Sequence, residues 1–333
     1  MSRDGRGESR RSAPAARPRS GRLIFWLVPL TLLPLPLFLN QYQQYVLNLI
    51  LMYVPVGVGF NVVVGNLGQL AFSNVAFFGL GAYTAGILMA KLGLPWWATV
   101  LPAGIMGAAA GCAASVPALR GVRSFSLAIM TLAFGELMRW TYIRSEWLTG
   151  GSMGMAVPAS DLLGWRLDLE SHKFYVFLVL AVAVVIATDR LLRSRVGRAF
   201  MAIKDNEAAA AAMGVPTGRY YVLGLAWSGF VVGIGGSMYA LLVGHLSPES
   251  FNLIELILEF AIIMVGGLGS LVGSVVGAVV ITATPEIFSD FPGFEELIFG
   301  LLIVLVILVL PRGLASLLAR LHPLFRDRYY ESA

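Results

Sequence analysis

The chain has 333 residues, 57% of them apolar and 13% charged, about half the charged share of a water-soluble globular protein. Ten crossings of a ~30 Å hydrocarbon core at roughly 20 residues each would use about 200 residues, close to this apolar content, so the composition excludes a soluble fold and points to a polytopic membrane protein. The net charge of +5 rests on 21 Arg and only three Lys (Lys91, Lys173, Lys204), none preceded by glycine, which excludes a P-loop and ATP hydrolysis by that route within the chain.

The first 22 residues carry seven Arg together with Pro, Gly and Ser, and read as a disordered basic tail that holds the N-terminus in the cytoplasm by the positive-inside rule. Nucleic-acid binding and organelle targeting are the competing readings of such a tail, and no nucleic-acid partner is expected. A transmembrane domain is expected over 23–314, followed by a cytoplasmic tail over 315–333.

Apolar runs predict spans at about 23–39, 45–64, 70–90, 96–117, 125–147, 174–192 and 221–243. Even parity places Arg120, Arg123 and the basic stretch Arg190 to Lys204 inside, while 148–173 falls outside with Trp147, Trp165 and Asp161. The stretch 256–283 as a single helix would leave the acidic residues 286–296 inside and the Arg-rich C-terminus outside, against that rule. Splitting it at Gly266-Gly267-Leu268-Gly269 restores both, with a last span at 297–310. The fold expected is therefore all-α and polytopic, with about ten transmembrane segments (8–10), two of them short or broken, and both termini cytoplasmic.

An internal repeat accompanies the break. Gly65-Asn66-Leu67-Gly68-Gln69-Leu70 and Gly266-Gly267-Leu268-Gly269-Ser270-Leu271 agree at four of six positions. Each opens an outward-running span, which suggests two related halves around a central path. Irregular backbone within a membrane is tolerated where protein or water satisfies it, so these glycine segments are candidate pathway elements.

Between the sixth and seventh spans, Lys204-Asp205-Asn206-Glu207 followed by Ala208 to Ala212 reads as a helix start with a polar cap and an alanine run, and Gly214 with Pro216 stops it. A helix of two or three turns is expected, narrow enough to enter a cleft on another protein. Within the spans, Glu136 and Arg139 are spaced to pair on one helix face, and Glu255 and Glu259, four apart, lie near the outer end of the eighth. Intramembrane charges are functional candidates by default. Trp96, Trp97, Trp140 and Trp147 read as belt or packing residues, and Cys112 as helix packing. His172, His245 and His322 are far apart, so no metal is expected.

Several blocks resemble the permease subunits of ABC transporters for branched-chain amino acids, of the LivM type, over about 65–313. They are Gly65 to Gly86 (GNLGQLAFSNVAFFGLGAYTAG), Arg123 to Glu136 (RSFSLAIMTLAFGE), Thr149 to Gly154, Gly197 to Gly214 (GRAFMAIKDNEAAAAAMG), Ser247 to Phe251, Gly266 to Ser270 and Leu310 to Leu314. Ala71, Phe72, Ser73 and Asn74 stand where that family usually has Ser-Leu-Gly-His, and Ser124 and Ser126 stand where Gly and Tyr are common.

The resemblance implies a non-enzymatic subunit forming half of a translocation pathway in the bacterial inner membrane. Its partners would be a related permease, cytoplasmic ATPase subunits that bind the ATP, and an external solute-binding protein, with no cofactor in this chain. The solute would be a branched-chain or other small amino acid, with urea, amides or aromatic acids as alternatives. Pathway residues would be Gly65, Gly68, Gln69, Ser73, Asn74, Thr131, Gly266, Gly267 and Gly269. ATPase coupling would fall to Lys204, Asp205, Asn206, Glu207, Ala208, Ala209 and Gly214, within the loop 193–217. A self-contained ion-coupled transporter is the reading from another class, and an intramembrane enzyme has the least support.

Overall fold

The computed structural model describes residues 32–122, 124–162, 165–167, 169–287 and parts of 300–316. The basic tail, most of the first and last expected spans, residues 288–296 and nearly all of the C-terminal tail lie outside the described residues. What is described of the first expected span ends in a 3-10 turn, Leu35–Phe38, because Pro34 and Pro36 interrupt a regular helix there.

The helices are α1 (Gln41–Asn61), α2 (Asn74–Leu92), α3 (Trp96–Ala114), α4 (Ser124–Arg144), α5 (Glu170–Arg193), α6 (Arg195–Asp205), α7 (Glu207–Ala212), α8 (Thr217–Val243), α9 (Leu253–Gly266) and α10 (Leu271–Ile287). A π-helical turn, Val62–Asn66, prolongs α1 to 26 residues. That helix, α2, α3 continued to Leu119, α5 and α8 are five candidate membrane spans by length and hydropathy. Helix α4 is 21 residues long but less apolar, since Glu136 and Arg139 fall in its middle. The expected break of the eighth span is present: α9 has 14 residues and α10 has 17, with Gly267 to Ser270 unwound between them.

Helix α8 is the centre of the bundle and packs along α3, α2 and α1; α1 packs in turn on α5, α9 and α10. In a membrane the hydrophobic effect does not press helices together, so close backbone approach through small residues has to. A Cβ on Gly107 of α3 would collide with the Gly229 carbonyl of α8, and one on Gly81 of α2 with the backbone of Gly233. Gly236 meets the Phe78 carbonyl in the same way. Trp96, fully buried, fixes the start of α3 by donating its indole N–H to the Ser237 carbonyl at 2.7 Å, while Ser160 Oγ accepts its backbone N–H at 2.8 Å.

Contacts sort the helix ends into two sets that agree with the parity argument. Met155–Ala156 pairs antiparallel with His245–Leu246, Asn48 donates to Glu170, and the Lys91 ammonium bonds the Trp147 carbonyl and lies over its ring. All belong to ends expected outside. At the other end Leu119 approaches Gly218, and Leu67 and Phe200 enclose Gly224.

Two expectations are corrected. Cys112 is exposed rather than packed, because α3 turns Gly104, Gly107 and Gly111 toward α8 and Cys112, one residue on, points about 100° away from that face. The alanine-rich helix does not begin at Lys204: Lys204 and Asp205 close α6, and of the two residues able to cap, Asp205 and Asn206, it is Asn206 (φ −161°, ψ 103°) where the chain turns and whose Oδ1 accepts the Ala209 N–H at 3.0 Å to cap α7. The coupling segment is thus two helices, the second shorter than expected. Phe200 and Ile203 bury the amphipathic face of α6, and Gly214 in the left-handed region (φ 84°) ends the unit after α7.

Candidate functional site

Among the described residues, 67–73 between α1 and α2 and 267–270 between α9 and α10 are irregular stretches that border the helical core. Gly68 (φ 73°) and Gly269 (φ 83°), equivalent in the repeat, both adopt the left-handed conformation that glycine reaches without a Cβ penalty. The π-helical turn that leads into the first stretch touches the second. A Cβ on Gly65 would occupy the space of the Gly269 backbone.

Asn61, wholly buried, stitches them: its Nδ2 donates to the Ser270 carbonyl at 2.9 Å, to Ser274 Oγ at 2.7 Å and more weakly to the Gly267 carbonyl at 3.4 Å, while its Oδ1 accepts the Gly269 N–H at 2.8 Å. Asn66 Nδ2 adds a bond to the Gly269 carbonyl at 3.2 Å. One amide thus satisfies backbone groups that unwinding α9–α10 sets free, as an apolar surrounding requires.

The residues named from sequence fall into three groups. Gly65, Gly266, Gly267 and Gly269 meet at the stitched contact, where Gly266 also lies against the Gly273 carbonyl. Gly68 packs on Lys204 at the end of α6, its Cα facing the Lys204 side-chain stem, so the first glycine stretch touches the loop helices. Gln69 is half-buried and its N–H bonds the Val63 carbonyl at 3.1 Å. Thr131 of α4 accepts the Phe72 N–H on its hydroxyl at 2.8 Å and thereby holds the far end of that stretch.

Ser73 and Asn74, both buried, open α2, and Asn74 Nδ2 donates to Glu259 Oε2 at 2.9 Å. Of the coupling residues, Ala208 and Ala209 are exposed with Ala211, Ala212 and Met213, Glu207 is half-buried, and Ala210 is buried against the chain itself.

The sequence reading did not mention Asn61, carried Asn66 only as part of the first glycine segment, and named Glu259 as an intramembrane charge without joining it to the pathway residues. An Asn four residues before a glycine motif inside an apolar span is the signal available for Asn61, and a carboxylate in the middle of the following short helix is the signal for Glu259. Glu255, one turn before it on α9, accepts the Tyr53 O–H at 2.9 Å. Phe251, from the loop before α9, sits among Phe78, Tyr83, Tyr142 and Tyr239 with ring centroids 5.6 to 6.1 Å apart. Phe72, Leu132, Leu253, Leu256, Ile257 and Phe260 line an open apolar groove of about 210 Å³ between α4 and α9.

Five helices of membrane-crossing length, with a short pair, α9 and α10, separated by an unwound glycine-rich turn that a buried amide holds, define a multi-pass membrane protein. Residues 43–310 match the family model described as branched-chain amino acid transport system / permease component. The chain is 31% identical over 303 residues to the high-affinity branched-chain amino acid transport system permease protein LivM of Escherichia coli, covering 84% of this chain and 71% of that protein. It is 22% identical over 282 residues to LivH of Salmonella typhimurium (79% of this chain, 90% of that protein), and 27% identical over 209 residues to the autoinducer 2 import system permease protein LsrC of Klebsiella pneumoniae (59% and 56%). The chain belongs to the branched-chain amino acid transport permease family.

Proposed function

We propose that this permease forms half of the translocation pathway of a binding-protein-dependent ABC importer for branched-chain or other small amino acids in a bacterial inner membrane. The observation that carries the reading is a continuous contact from the loop helices to the unwound core: Lys204 of α6 rests on Gly68, and the end of α1 that leads into Gly68 is tied through Asn61 and Asn66 to Gly269. Movement imposed on α6–α7 by a cytoplasmic ATPase would therefore shift both glycine stretches together. Such coupling requires contacts that differ in free energy between states. The exposed rim of α7, Ala208, Ala209, Ala212 and Met213, offers a narrow face for an ATPase cleft.

A second permease is favoured by α4. Its Arg139 and Glu136 pair at 3.0 Å on a face that stays 31% and 47% exposed, in the middle of a helix long enough to cross the membrane. Charges there are costly against lipid, so protein or an aqueous path covers that face in the assembly. The full arrangement we propose has about ten spans in two related halves, both termini cytoplasmic, ATP bound and hydrolysed only in the partner subunits, and solute delivered by an external binding protein.

Reconstitution with the two ATPases, the partner permease and the binding protein tests this. ATP-driven accumulation of leucine, isoleucine or valine is expected; ATP-independent, ion-gradient-driven uptake by the chain alone would overturn it, and accumulation of urea, amides or aromatic acids in place of these would reassign the solute.

A further inference from the structure

The unwound turn between α9 and α10 is held at its two ends by different elements. Asn61 and Asn66, at the end of α1, bond Gly269 and Ser270, and only the long 3.4 Å contact from Asn61 reaches the Gly267 carbonyl. Where α9 stops, Gly266 and Gly267 lie instead against Gly313. A Cβ on Gly313 would stand 2.5 Å from the Gly267 Cα, 2.6 Å from the Gly267 nitrogen and 2.9 Å from the Gly266 carbonyl carbon. All three neighbours are backbone atoms, so no side-chain rotation can make room.

Gly313 is held there by the end of the last expected span. The Leu310 N–H bonds the Val306 carbonyl at 2.8 Å, and the Gly313 N–H returns to the Leu310 carbonyl at 2.7 Å. Ser316 closes the turn from the other side, its N–H and its hydroxyl both donating to the Gly313 carbonyl, at 3.1 and 2.7 Å. Leu310 and Leu314 pack on the core, and Ala315 is buried. Gly313 takes a left-handed conformation (φ 71°), and Gly267 opposite it has φ 121° and ψ 119°, both open to glycine without a Cβ penalty. Two backbones thus meet with no Cβ between them. Such a contact has no slack: a rotation of the break about Gly267 either pushes the Gly313 turn aside or parts from it.

Resting on the importer reading above, we infer that Gly313 is a positioning residue of the transport cycle. The turn that ends the last span braces the α9–α10 break at Gly267 and rearranges whenever the break does. The break therefore answers to two elements: the last span through Gly313, and the loop helices through Lys204, Gly68 and Asn61.

The test compares two glycines with the same backbone angle. Gly244 also has φ 71°, but nothing lies within 4 Å of a Cβ added there. Alanine meets the left-handed penalty at both positions and collides with the break only at 313. In the complex with the partner permease, the ATPases and the binding protein, Gly313→Ala should lower the leucine moved per ATP hydrolysed about tenfold relative to Gly244→Ala. Leu268→Cys in a Cys112→Ala background reports on the break itself, since Leu268 is 37% exposed within it. Its labelling by a small thiol reagent should change when the complex with Gly313 intact is trapped with ATP and vanadate, and should stay at one rate in Gly313→Ala. Equal coupling in the two glycine variants, or an unaltered labelling response in Gly313→Ala, would overturn the inference.

Hydrogen exchange needs no substitution and decides the matter if Gly313→Ala does not assemble. Peptides covering 266–271 and 310–316 should change protection together on vanadate trapping. A change in the first alone, or in neither, would remove the brace. ATP-driven leucine uptake by the unsubstituted complex separates the two proposals: without it the importer reading fails, while intact uptake with exchange confined to 266–271 removes the brace alone.

Discussion

Replacing Asn61 by leucine removes the stitch between the two glycine stretches with little change in side-chain volume. Three of its hydrogen bonds have ordinary lengths: 2.9 Å to the Ser270 carbonyl, 2.7 Å to Ser274 Oγ and 2.8 Å from the Gly269 N–H. At about 1 kcal/mol net for each, their loss amounts to about 3 kcal/mol. The Ser270 carbonyl keeps the Ser274 N–H and the Gly267 carbonyl keeps the Ser270 N–H, so the group left without a partner is the Gly269 N–H, which adds roughly 1–3 kcal/mol.

The new apolar mass, buried in an already apolar site, recovers about 1 kcal/mol or less. Asn61→Leu should therefore destabilise the folded chain by about 3–5 kcal/mol, read as the unfolding free energy in mixed micelles. Asn61→Asp is the informative control: it keeps the acceptor for Gly269 and loses the donors, so it too should be destabilised. ATP-driven uptake should fall in both variants. An Asn61→Leu protein within about 0.5 kcal/mol of the parent, with normal uptake, would refute the view that this amide holds the unwound core together.

The loop helices and the bundle give further tests. Ala209→Trp on the exposed rim of α7 should reduce recovery of the ATPase with the permease while insertion is unchanged; Ala210→Trp, at a buried position, should lower the folded yield, so equal outcomes for the two would contradict the exposure of that face. Gly107→Leu, opposite the Gly229 carbonyl, should cut the yield of folded protein far more than Gly300→Ala, where nothing lies within 4 Å of an added Cβ. Cysteines replacing Ser152 and Ala212, both exposed, should be labelled by an impermeant reagent from outside and from inside respectively, and the reverse pattern would invert the topology.

Hydropathy alone was enough to place the five long spans, α1, α2, α3, α5 and α8, because each must offer roughly 20 apolar residues to lipid whatever its neighbours are. The break at Gly266 to Ser270 was legible for the same kind of reason: charge asymmetry allows one chain direction only if the apolar run turns there, and α9 and α10 are indeed separate. The bounds of α7 were less legible. Lys204 and Asp205 suit the end of α6 as well as the start of α7, and the turn at Asn206 depends on Phe200 and Ile203 docking α6 against the bundle. Cys112 and Ala210 illustrate the same limit, since a uniformly apolar or alanine-rich segment has little periodicity to tell an inward face from an outward one. The meeting of the two glycine stretches through Asn61, and of Asn74 with Glu259, joins residues about two hundred positions apart. Residue type and spacing along the chain say which side chains need partners in an apolar interior, but the packing of α1, α2, α9 and α10 decides which partners they find.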